Sequence, residues 1–210
     1  MEIGELILIL AVLLTLSLTR HFFSGSFEEP GQSARGKERS VALWIAQGFG
    51  AGRIPWGPGT FGSLVGLLWF ALLLRTHNLW VFAAGTIAGI ALSVWLCGIA
   101  EKMLGRKDPG SIVLDEIAAM PVCFLSWMAI LIHNTGSLPT LEAFYGARNW
   151  PLSLGVFAAF RFFDIVKPWP VRQSQSLPGG WGVTVDDLLA ALYVNITVWL
   201  VYAGKLLLAR

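Results

Sequence analysis

The sequence predicts an all-α, polytopic membrane fold with about six membrane-spanning helices and one re-entrant or interfacial Gly/Pro-rich segment. Three observations carry that prediction. Only 13% of residues are charged and 55% are hydrophobic, at a mean hydropathy of +0.66, whereas soluble domains carry roughly 25% charged residues. A chain so poor in charge cannot cover a surface that faces water on all sides. The hydrophobic residues also fall in runs of near bilayer-crossing length, and ten Trp supply material for aromatic belts at the two interfaces.

Residues 3–19 form the first apolar run. Glu2 and Glu5 stand where a secretory signal carries Lys or Arg, and no small-x-small cleavage site follows, so the run reads as a retained anchor. Residues 20–40 are polar and rich in Gly and Ser, a loop or linker. The chain therefore divides into an N-terminal anchor and polar linker, residues 1–40, and a helical membrane domain, residues 41–210.

Residues 41–60 begin apolar and then break into Gly50, Gly52, Pro55, Gly57, Pro58 and Gly59. Lipid-exposed backbone cannot carry that many breakers, because each unsatisfied amide in hydrocarbon costs several kcal/mol. Hydrophobic spans follow near 61–75, 79–99, 112–133 and 183–204, with a shorter one near 151–166 that carries Arg161 and Asp164.

Loop charge orients these spans. Loops 20–40, 99–111 and 167–182 hold Arg20, Arg35, Lys37, Arg39, Lys102, Arg106, Lys107, Lys167 and Arg172; the opposite side holds Arg75, Arg148, Lys205 and Arg210. The positive-inside rule thus assigns the three loops to the cytoplasm.

Four polar blocks then fall at that same face: GPGTFGS (57–63), DPGSIVLDE (108–116), RFFDIVKPWP (161–170) and GGWGVTVDD (179–187). Asp115, Glu116, Arg161, Asp164, Lys167, Asp186 and Asp187 lie within or beside apolar helices. An ionisable group at mid-bilayer costs about 2.5–3.5 kcal/mol on insertion scales. Seven of them are tolerable only if they face one another in a wet cavity. Five acids against two bases leave a local excess of negative charge, which a hard divalent cation such as Mg²⁺ with oxygen ligands would offset. Blander readings exist for each block. Asp115-Glu116 or Asp186-Asp187 could be first-turn acids favoured by the helix dipole. Arg161, Asp164 and Lys167 could be an i, i+3 ion-pair ladder, and GPGTFGS only a turn before a helix. The convergence of all four is what favours a site. In that reading Gly59, Thr60 and Ser63 cradle a phosphate at a helix N-terminus, with Arg53 beside them.

Several chemistries lack their residues. Six positions after Cys97 stands Met103, and after Cys123 stands Ala129, so neither thiol begins a Cys-x5-Arg phosphatase loop. His21, His77 and His133 lie at span edges away from the carboxylates. No Asp-x-Asp pair is present, and no His/Cys set suits zinc. Neither charge balance nor any basic run argues for nucleic acid, and no obligate protein partner is evident.

The blocks GTFGS (59–63), DPGSIVLDE (108–116), FRFFDIVKPWPVR (160–172) and PGGWGVTVDDLLAALY (178–193) resemble, in order, those of the phosphatidylglycerophosphatase A family. The resemblance covers roughly residues 41–205. The chain departs from the family pattern at IAAMP after Glu116 and at Val183 and Val185, but no charged residue of the blocks is missing. The resemblance implies a Mg²⁺-dependent hydrolase of the bacterial inner membrane that converts phosphatidylglycerophosphate in the bilayer to phosphatidylglycerol. The mechanism these residues suggest has Asp115, Glu116, Asp186 and Asp187 holding the metal, Arg161 and Lys167 as the phosphoryl clamp, and Asp164 as base or nucleophile. Water attack and an aspartyl-phosphate intermediate both stay open. So do another lipid-linked phosphate as substrate, and a divalent-cation transporter, since intramembrane acids also mark ion paths.

Overall fold

The computed structural model describes residues 41–209, so the predicted anchor and linker of residues 1–40 lie outside the described residues. The described residues are helical, without a strand. Residues 41–46 are helical and lead into a 3-10 segment, Gly48–Arg53. The main helices are α1 (Pro58–Leu74), α2 (Leu79–Leu104), α3 (Leu114–Cys123), α4 (Leu125–Thr135), α5 (Glu142–Tyr145), α6 (Trp150–Val166), α7 (Val171–Ser174) and α8 (Gly180–Leu208).

Among the described residues, three stretches are long and apolar enough to cross a membrane: α2, α3 with α4 (Leu114–Thr135), and α8. This corrects the expectation of about six. The predicted spans near 61–75 and 151–166 fold as α1 and α6, of 17 residues each. At 1.5 Å per residue such a helix is about 25 Å long, short of a hydrocarbon core of about 30 Å.

The helices run alternately up and down. Phe70 near the end of α1 packs edge-on against Phe82 near the start of α2. The other end of α2 reaches α8, where a side chain on Gly180 would collide with the Val94 carbonyl and sit 2.7 Å from the Gly98 amide. The two glycines let these backbones touch. In lipid, where apolar burial drives little association, such close approach is a main source of helix–helix attraction.

The α3 helix is the hub, packing on α1, α2 and α8. Some 61% of the α3–α4 apolar window is buried, against 22% for α2 and 17% for α8, so the latter two are left largely uncovered by the rest of the described residues. An aromatic cluster locks the end of the bundle where α1 finishes. There Phe70 stacks on Phe124 with centroids 4.3 Å apart, and Phe144 meets both edge-on.

One irregularity sits in the middle of the bundle. The helix breaks at Phe124 between α3 and α4, three residues after Pro121. The Asn195 side chain of α8 enters the gap: its Nδ2 donates to the Val122 carbonyl at 2.8 Å and its Oδ1 accepts from the Ser126 amide at 2.7 Å. Val122 and Ser126 are the i and i+4 partners of an unbroken helix. The amide thus stands in for the missing backbone bond.

Apart from Trp95 within α2, the exposed tryptophans of the described residues form two groups. Trp56, Trp169 and Trp181 lie where α1 and α8 begin and α6 ends; Trp80, Trp150 and Trp199 lie at the other end. Trp181 and Trp199 are 18 positions apart on α8, about 27 Å, close to the separation of two membrane interfaces.

Candidate active site

Four chain segments meet at the end of the bundle where α1, α3 and α8 start and α6 finishes. They enclose a cavity of about 320 Å³ whose lining includes Gly59, Asp108, Asp115, Glu116, Arg161, Asp164, Lys167, Asp186 and Asp187. Three of the four helices point their N-termini here, so their dipoles place partial positive charge beside the acids.

Asp115 and Glu116 open α3, and Asp187 lies in the second turn of α8. All three are buried, and each offers a carboxylate oxygen within 4.8 Å of the others. Asp115 Oδ1, Glu116 Oε2 and Asp187 Oδ2 are buried with no hydrogen-bond partner among the described residues. Three buried carboxylates so close repel one another strongly unless a cation or shared protons neutralise them. An all-oxygen donor set with unused lone pairs suits a hard divalent cation. The residues therefore fit Mg²⁺, by donor chemistry and by their orphaned atoms.

The cations stand on one side of this trio. Arg161, on the last turns of α6, places Nη1 2.8 Å from Asp164 Oδ2 and 3.7 Å from Glu116 Oε1. Ser63 Oγ, which donates to the Gly59 carbonyl, also receives Arg161 Nη1 at 3.4 Å. Lys167 caps α6 in the left-handed conformation (φ 47°), just before Pro168. A left-handed non-glycine residue costs roughly 1–2 kcal/mol. Here it swings the ammonium away from the helix and onto Asp186, with Asp164 Oδ1 at 3.8 Å. Burial alone would lower the Lys167 pKa, but the bond to Asp186 and the charges of Asp186, Asp164 and Asp187 outweigh it and raise it above the ordinary lysine value.

The predicted residues are thus brought together in part. Asp115, Glu116 and Asp187 form one group, and Arg161, Asp164 and Lys167 another beside it. Asp186, expected with the metal ligands, is instead bound to Lys167, because adjacent residues on a helix point about 100° apart. Ser63 is wholly buried and holds Arg161 rather than lining the cavity. Arg53 and Thr60 do not line it either. Arg53 Nε is spent on Gln47 Oε1 at 2.8 Å. Of the first α1 amides, Thr60 and Phe61 donate to the Gly57 carbonyl and Pro58 has none, leaving Gly59 as the amide free of a backbone partner. Gly59 must stay small: a Cβ would collide with Glu116 Oε1 and lie 2.8 Å from Arg161 Nη2.

Asp108 is the charged lining residue that lies in a quoted sequence block without an assigned role. It sits at φ 46°, donates its amide to Glu101 Oε1 at 2.8 Å, and accepts from Gln175 Nε2 at 2.8 Å. Burial raises its pKa, and the nearby Lys167 only partly offsets that. Its position at the head of the DPGSIVLDE block was the available signal; nothing in the sequence marked Gln175.

A family model described as Phosphatidylglycerophosphatase A matches residues 44–202. The chain is similar to a Phosphatidylglycerophosphatase A of Haemophilus influenzae, at 36% identity over 156 residues, covering 74% of this chain and 85% of that protein. It is similar to one of Escherichia coli K12, at 34% over 150 residues, covering 70% and 76%. It is also similar to a protein of Bacteroides thetaiotaomicron named provisionally as a phosphatidylinositol-3-phosphatase, at 35% over 162 residues, covering 75% and 91%. No solved structure matches the chain.

Proposed function

This chain belongs to the phosphatidylglycerophosphatase A family, and on that premise we propose that it hydrolyses phosphatidylglycerophosphate to phosphatidylglycerol and phosphate, with Mg²⁺, at the cytoplasmic face of a bacterial inner membrane. The observation that carries the reading is the pairing of a three-carboxylate group with an Arg–Asp–Lys group in one cavity at one end of an apolar bundle.

Held by Asp115, Glu116 and Asp187, Mg²⁺ would supply Lewis-acid polarisation of phosphoryl oxygens. Arg161 faces the cavity with a fork of donors suited to a phosphomonoester, and Ser63 and Asp164 fix its plane. As charge builds on the equatorial oxygens, Arg161 and the Gly59 amide stabilise it. Lys167 contributes positive charge while also engaging Asp186. Asp164, oriented between Arg161 and Lys167, is the group to accept a proton from attacking water or to attack phosphorus itself. The lipid chains extend into the surrounding bilayer, and the basic loops 99–111 and 167–182 set the orientation.

The test is phosphate release by purified protein from phosphatidylglycerophosphate, with Mg²⁺ and with EDTA. A parallel arm uses phosphatidylinositol 3-phosphate, which the Bacteroides relative makes worth assaying. Release from neither lipid in Mg²⁺ would overturn the phosphatase reading. Cation flux into liposomes without phosphate release would favour a transporter.

A further inference from the structure

A second cavity lies away from the carboxylates. It is a groove of about 350 Å³ between α4, α6 and α8, with Trp127, Gly155, Ala159, Val194, Tyr202 and Lys205 among its lining. We propose that this groove binds one anionic phospholipid of the leaflet opposite the candidate active site, with an acyl chain in the apolar trough and the headgroup phosphate at Lys205.

Three features point to that occupant. The first is length. Along α8 the groove runs from Val194 to Lys205, 11 positions, or about 16 Å at helical rise. Trp199, at the interface, divides that stretch: about 8 Å lies on the hydrocarbon side, where the upper part of an acyl chain sits, and about 9 Å on the headgroup side, where Lys205 stands.

The second is placement. Lys205 lies 18 positions beyond Asp187 on the same helix, about 27 Å from the carboxylates. A lipid anchored there cannot also present its headgroup to Arg161. Phe160, Ala190 and Ala191, all fully buried, lie in sequence between the two linings on α6 and α8. Exposed Trp150, next to the lining residue Pro151, and exposed Trp199, under two turns before Lys205, mark an interface there.

The third is charge. Lys205 is the sole charged residue in the lining, and it makes no ion pair among the described residues. Beside it, the Tyr202 hydroxyl donates its one hydrogen to Asn134 Oδ1 at a loose 3.4 Å, a bond that it can exchange for one to a phosphate. An apolar trough that ends in one unneutralised cation and a hydroxyl matches a chain that ends in an anion. A zwitterionic headgroup would bring its own cation against Lys205.

Gly155 lets the proposal be tested without touching the carboxylate site. It lines the groove, and a Cβ there would meet nothing within 4 Å, so Gly155→Leu fills the trough from an open position. Lys205→Gln removes the charge on an exposed side chain. Delipidated full-length protein in detergent is titrated with equimolar dioleoyl phosphatidylglycerol and dioleoyl phosphatidylcholine, and bound lipid is counted by native mass spectrometry. The expected result is one retained lipid per chain with about fivefold preference for the anionic one, the factor that one basic residue contributes at an anionic surface. Gly155→Leu should lose that lipid, and Lys205→Gln should keep it without the preference. An unchanged adduct in Gly155→Leu, or an unchanged preference in Lys205→Gln, would overturn the proposal.

Discussion

Ser126 donates its backbone amide to the side chain of Asn195, 69 positions away in sequence, at 2.7 Å. Through that bond and its partner to Val122, α8 bridges the break at Phe124 between α3 and α4 in the middle of the bundle. Asn195→Leu therefore strips partners from two buried backbone groups. Measured intramembrane hydrogen bonds average only about 0.6 kcal/mol, but unsatisfied buried groups cost more. A loss of about 2 kcal/mol is expected, read as a lower melting temperature in detergent. Unchanged stability would mean that water or lipid replaces the side chain freely.

The carboxylate trio makes opposite predictions with and without metal. Asp187→Asn should raise thermal stability in EDTA, because it relieves repulsion among Asp115, Glu116 and Asp187. It should also shrink the stabilisation that Mg²⁺ confers, which for intact protein at 100 times the dissociation constant is about 2.7 kcal/mol. Melting curves over a Mg²⁺ titration measure both. Equal Mg²⁺ stabilisation in wild type and variant would place the ion elsewhere.

Arg161 is positioned by Ser63 and Asp164 to meet an anion with its fork. Arg161→Ala should lower kcat for phosphate release by about 10²–10³, the range for loss of a donor to developing charge. Arg161→Lys should recover little of it, since a point charge cannot reproduce the fork. Full recovery by lysine would show that charge alone suffices.

Gly59→Ala tests the crowding at the start of α1. Its methyl would press on Glu116 Oε1 and Arg161, so activity should fall at least tenfold while the protein still folds. Wild-type kinetics would show that those side chains shift at no cost.

Lys167 provides the pH prediction. Its folded pKa lies above the ordinary value, so the stability it contributes is complete below the unfolded lysine value of about 10.4 and is lost as pH rises through the folded one. The difference in melting temperature between wild type and Lys167→Met should be constant from about pH 7 to 9 and narrow only at higher alkalinity. Because the side chain is partly exposed, the contribution should be about 2 kcal/mol, below that of a fully buried pair. Narrowing below pH 9 would show that the Asp186 pairing does not hold the proton.

The site was legible because charge in an apolar helix has so few tolerable places. Asp115, Glu116, Arg161, Asp164, Lys167, Asp186 and Asp187 all line the cavity that their cost demanded. Their partition was not legible. Which of Asp186 and Asp187 joins Glu116 depends on the helical phase of α8 and on the left-handed turn at Lys167. Arg53 read as a ligand-binding cation because nothing in the sequence tied it to Gln47. The number of crossings was overread because apolar runs near 61–75 and 151–166 carry the hydropathy of spans but not the length. Nothing in the sequence marked Asn195, whose role depends on the break at Phe124 across the bundle.

The placement of all four polar segments at a single end of the bundle would make the proposed catalysis a property of sidedness. In sealed vesicles where the protein inserts both ways round, molecules facing inward are latent toward lipid added from outside. Their activity emerges only when the vesicle is opened, and the ratio of the two rates reports how the population is oriented.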